Sequence, residues 1–134
     1  MEKDVAKDVM TEELAFGEFA RWAEAHEVET TDNDAGKIAV VTKAIRRGLL
    51  VLGDDGEFVY TVSARSPEGC AGEQLRLVEP NARAYMAMDG YKDTDQIHKA
   101  MAMAGVVTGR ATRWFSDLSG QDWKVVSVVL SFLL

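Results

Sequence analysis

The chain has 134 residues, 47% of them hydrophobic and only two of them proline, a composition that supports one folded domain with its own core and excludes a disordered segment. Its 22 acidic and 15 basic residues leave a formal charge of -7, which repels a phosphate backbone and argues against a nucleic-acid partner. Cys70 stands alone, so no internal disulfide can form, and the charged opening "MEKDVAKDVM" is unlike the apolar stretch of a signal peptide; the expected location is cytoplasmic.

From about Lys3 to Glu27, the residues Ala15, Phe19, Trp22 and His26 recur at intervals of four, three and four, the period of one helix face. Thr11 is the expected N-cap, with Glu12 and Glu13 favourable in the first turn. The polar stretch "TTDNDAG" leads into a second helix, with Asp34 as its expected cap and Ile38, Val41 and Ile45 as its apolar stripe. Gly48 should stop that helix, because glycine accepts the left-handed conformation of a C-terminal cap.

"LLVLGDDGEFVYTV" then places two β-favouring runs around a Gly/Asp cluster, a strong hairpin signal, with Phe58, Tyr60 and Val62 on one face. After the loop "SARSPEGCAGE", the run "QLRLVE" is a third strand with Leu75 and Leu77 on one side. Pro80 suits the first position of a helix, where its missing N–H costs nothing. Four short helices are expected beyond it: Asn81 to Met88, Thr94 to Ala104, Arg110 to Asp117 and Gly120 to Leu133. Gly90, Gly105 and Gly120 fall near their boundaries, and Asp93 and Ser119 are the expected caps. The fold class is α+β in a single domain over 1–134: a helical part over 1–48, a three-stranded antiparallel β-meander over 49–79 and a helical bundle over 80–134.

Few residues point to chemistry. Asp54, Asp55 and Glu57 crowd one hairpin turn, but Asp and Gly are what such a turn requires. "DNDAG" fails as a calcium loop, since its fifth and twelfth positions are Gly36 and Lys43. His26 lies on an apolar helix face and His98 follows Ile97 in a helix whose expected core stripe is Ile97, Met101 and Ala104, so neither is placed as a metal ligand. Cys70 has no sequence-local base, and no nucleophile elbow or phosphate-binding glycine loop is present. No catalytic residue, cofactor or metal is therefore expected, and the chain reads as a non-enzyme.

The last helix carries the main clue. Trp123, Val126, Leu130 and Leu133 form one stripe and Val125, Val129 and Phe132 a second beside it, so its apolar face is unusually wide. The apolar run of about ten residues is half of the roughly twenty a membrane span needs. Such a helix is buried on more than one side. Met86, Met88, Met101 and Met103 stand nearby, and their flexible thioethers suit an irregular protein partner. Trp114, Trp123, Val126, Leu130 and Phe132 are the expected partner-binding residues. One alternative is a winged-helix DNA-binding regulator, since "KIAVVTKAIRRGLLVLGDDGEFVYTV" runs a helix through a glycine into a hairpin, with Arg46 and Arg47 near the wing.

Over residues 57–134, the order of features resembles the tail assembly chaperones of long-tailed bacteriophages. The resemblance rests on a strand closing on Leu77 through Pro80, on Thr108 and Gly109, on the Leu-Ser-x-x-Asp turn from Leu118 to Asp122, and on an apolar helix ending with Phe132. The first fifty residues are not a usual part of that pattern. The resemblance implies a non-enzymatic assembly factor in the bacterial host cytoplasm that binds the tape-measure protein and helps recruit tail-tube subunits. It also implies a homo-oligomer and absence from the finished particle.

Overall fold

The computed structural model describes residues 8–134, so the expected helical start near Lys3 lies outside the described residues. Helix α1 spans Glu12–Ala25, and Thr11 caps it as expected, its Oγ1 accepting from the Leu14 N–H at 3.2 Å. Ala15, Phe19, Trp22 and Ala23 form its buried face. The helix closes on Glu27, whose φ of 56° is left-handed, with the Val28 N–H donating to the Ala23 carbonyl at 2.8 Å.

Helix α2 spans Ala35–Arg46 and buries Val41 and Ile45, with Ile38 half-buried. Asp34 does not cap it with its side chain. Instead its Oδ2 accepts from the Thr31 N–H (2.9 Å) while Thr31 Oγ1 accepts from the Asn33 N–H (3.2 Å), so the pair closes a 3-10 turn at Asp32–Asp34 that feeds into α2. Gly48 ends the helix as expected, with φ 78°.

Strands β1 (Leu50–Leu52), β2 (Phe58–Thr61) and β3 (Gln74–Leu77) form an antiparallel meander in that order, pairing Leu50 with Tyr60 and Tyr60 with Leu75. The period-two pattern puts Leu50, Phe58, Tyr60, Leu75 and Leu77 on one buried face. Trp22 of α1 covers it, its ring centroid 5.0 Å from that of Phe58.

The bundle departs from expectation at its boundaries. Pro80 precedes the cap: Asn81 Oδ1 accepts from the Ala84 N–H at 3.1 Å, and α3 runs Ala82–Met88. Helix α4 spans Gln96–Thr108, capped by Asp95 through the His98 N–H at 3.3 Å, whereas Asp93 pairs with the Lys99 ammonium at 3.0 Å. Gly105 is inside α4, where a Cβ would stand 2.7 Å from the Arg110 carbonyl; the chain folds back against that glycine, and Gly109, with φ 75°, makes the stop. The expected helix from Arg110 is a 3-10 turn over Thr112–Asp117. Of the expected stripe Ile97 is exposed, Met101 is half-buried against the core and Ala104 is buried, with Ala102 and Met103 buried beside it.

Helix α5 spans Gly120–Leu133 with Ser119 as its cap, as expected. It packs against α2, α4 and β3 at once, which explains its two apolar stripes.

Candidate functional site

Ser119 and Asp122 have the spacing of a capping box, and the Asp122 N–H does donate to Ser119 Oγ at 3.1 Å. The Asp122 side chain turns inward, fully buried, and its carboxylate gathers five donors. Tyr60 Oη (2.5 Å) and the Ser63 N–H (3.0 Å) reach one oxygen; the hydroxyls of Ser63 (2.9 Å), Ser66 (2.6 Å) and Ser119 (2.8 Å) reach the other. Ser66 Oγ in turn accepts from the Ser119 N–H at 2.8 Å. Burial alone would raise the Asp122 carboxyl, but the donors from Ser66, Tyr60, Ser63 and Ser119 outweigh it and hold it below the usual carboxylate range. Burial and this carboxylate push the Tyr60 phenol above its ordinary range. With its oxygens saturated, Asp122 is an anchor that fastens the start of α5 to the sheet and the loop beyond β2.

The five expected partner-binding residues do not share a surface. Val126 and Leu130 are 0% and 1% exposed and pack into this chain's own core, Leu130 with its edge at the floor of the groove described below. Phe132 is half-buried against Phe19, with ring centroids 5.5 Å apart and the Lys37 ammonium 4.4 Å over its ring. Trp114 and Trp123 flank Phe115, at 5.1 and 5.9 Å, and remain half-buried.

A surface suited to a protein partner lies elsewhere, in a groove of about 430 Å³ between α3, α4 and the second half of α5. Tyr85 and Met88 form one wall, Ala100 and Met103 the second, and Leu130 and Leu134 the third. Tyr85 and Leu134 are exposed there, and Met86 and Ile97 are exposed on the same two helices, α3 and α4. An open apolar trough lined by two thioethers can seat the side chains of an amphipathic helix. In the sequence Met88, Met103 and the expected partner residue Leu130 pointed here, whereas Tyr85 did not, because α3 is too short for its periodicity to separate inward from outward positions.

The remaining polar groups are structural. His26 Nε2 lies 2.9 Å from the Gly56 carbonyl and pins α1 to the hairpin turn; Glu57 and Glu79 approach opposite ring nitrogens, at 3.3 and 3.8 Å, and so cannot share an ion with it. Among the described residues, no three His, Cys, Asp or Glu side chains group as a metal site. Asp55 accepts from Arg76 at 2.5 Å, and that bond holds its carboxyl below the usual range. Cys70 is buried, and burial, followed by the nearby Asp117, pushes its thiol up, which keeps it protonated and a poor nucleophile. No helix among the described residues is long and apolar enough to cross a membrane.

No family model, curated protein or solved structure matches the chain.

Proposed function

We propose that the chain is a tail assembly chaperone of the bacteriophage or prophage type, which shields an apolar helical segment of a tape-measure protein and helps recruit tail-tube subunits to it. The observation that carries this reading is the open groove between α3, α4 and α5, with Tyr85 and Leu134 exposed along it. A tape-measure protein is long and helical, and its apolar stripe needs a cover before the tube assembles around it. The Leu-Ser-x-x-Asp turn adds support, because its Ser119 and Asp122 fix α5 and with it one wall of the groove.

The test is co-expression with the tape-measure protein of the same phage or prophage. The expected result is a soluble tape-measure protein that co-purifies with the chain, and its loss with Tyr85→Ala, Leu134→Asp, a variant altered only at exposed positions. A tape-measure protein that stays insoluble beside the unaltered chain refutes the proposal.

A further inference from the structure

A second cleft, of about 340 Å³, lies between α2, the loop after β2 and the first half of α5, and shares no lining residue with the groove. Four cations surround it: Lys43 and Arg47 from α2 and its cap, Arg65 from the loop and Lys124 from α5. Lys43, Arg65 and Lys124 are exposed and Arg47 is half-buried. Among the described residues none of these four has a carboxylate at ion-pair distance; Lys37, Arg83, Lys92 and Arg113 lack one as well, but none of them lines this cleft. Asp122 also lines the cleft; its five donors are neutral, so they occupy its oxygens without cancelling its charge, and it offsets one of the four cations. Val40 and Leu49 give the cleft an apolar wall.

This arrangement is unfavourable in the isolated chain. Lys43 and Arg47 gain from the negative end of α2, a compensation Arg65 and Lys124 do not have. Like charges around one cleft also repel, and they do so in a chain whose formal charge is -7 and which has 22 acidic residues to pair them with. An anion seated among them offsets that repulsion.

We infer that this cleft docks an acidic, partly apolar segment of a protein partner, its carboxylates meeting Lys43, Arg47, Arg65 and Lys124 and an aliphatic side chain entering against Val40 and Leu49. A protein segment fits better than nucleic acid, because the overall charge is negative and Val40 and Leu49 line the same cleft. The inference deepens the assembly reading by giving the chaperone a second kind of contact. Its test uses neither the tape-measure protein nor the groove, so either can fail alone.

The probe is a fluorescently labelled peptide of alternating glutamate and leucine, followed by anisotropy on the full chain. Expected are saturable binding at low salt, progressive loss as ionic strength shortens the screening length, and no binding of the matching lysine and leucine peptide. Arg65→Glu, Lys124→Glu should weaken binding about tenfold or more, because reversed rim charges oppose the encounter. The neutral pair Arg65→Gln, Lys124→Gln should weaken it less, which keeps the test informative if the reversed pair fails to fold. Equal binding by the charge-altered variants, or no binding by the unaltered chain, overturns the inference. So does a single-stranded oligonucleotide that displaces the peptide and binds more tightly.

Discussion

Replacing Asp122 with alanine removes a carboxylate that is 0% exposed and accepts from Tyr60, Ser63 twice, Ser66 and Ser119. Each hydrogen bond to a charged group is worth about 1.5–3 kcal/mol, but the serine hydroxyls can turn to one another or to entering water, so the losses do not add. The expected cost is about 3–5 kcal/mol, that of breaking a buried charged network from one side. Asp122→Asn keeps the shape: its oxygen can accept from Tyr60 and the Ser63 N–H, and its two amide N–H groups can donate to two of the three hydroxyls, which leaves the third without its partner. About 1–2 kcal/mol should be lost. Urea unfolding near neutral pH measures both. The acid limb supplies an internal check. Because the folded Asp122 carboxyl lies below its unfolded value of about 3.9, its stabilisation is complete above that pH and is lost as pH falls through the folded value. The gap between the unaltered chain and Asp122→Asn should therefore narrow below about pH 4. An alanine variant that loses less than about 1 kcal/mol, or an asparagine variant as damaged as alanine, refutes the anchor.

Phe132→Ala should cost about 3 kcal/mol in thermal or urea unfolding, because Phe132 packs against Phe19 and Trp22; lost self-association with unchanged stability would instead return it to an interface. Gly105→Ala should destabilise by about 2 kcal/mol or more, since the new Cβ meets the backbone carbonyl of Arg110 at 2.7 Å, and an unchanged melting temperature would show that the fold-back loop yields. Glu27→Gly should stabilise the chain by up to about 1 kcal/mol by relieving its left-handed φ of 56°, and a lowered melting temperature would contradict that account.

Elements whose signals are local were legible in the sequence. Alternation fixed the buried face of β2 and β3, and Thr11, Gly48 and Ser119 marked helix ends through bonds made within their own turns. Competing caps were harder: Asp93 and Asp95 both precede α4, and the one that caps is decided by where the backbone turns. Gly105 misled for a tertiary reason, because the glycine is required by a neighbouring carbonyl and not by a helix end. The same limit governed the candidate site. Apolar periodicity identified α5 as a helix with too much greasy surface, yet could not tell a partner from α2, α4 and β3, which together cover Val126 and Leu130. Arg46 and Arg47 stood out in the sequence near the wing of the winged-helix alternative, but Lys43, Arg65 and Lys124 gather around Arg47 only in the fold, while Arg46 lies 3.9 Å from Glu12.

The Asp122 cluster also bears on the order of folding. Apart from the local Ser119–Asp122 pair, its bonds join positions 53 to 62 residues apart, and two of its members, Tyr60 and Ser63, lie in β2 and just beyond it. Closing so long a loop is slow compared with local helix or hairpin formation. On a ribosome the three strands are complete before Asp122 is synthesised, so the acceptor arrives at donors already in place. Until it does, the faces of α2, α4 and β3 that α5 packs against have no cover, and the clasp is what closes them.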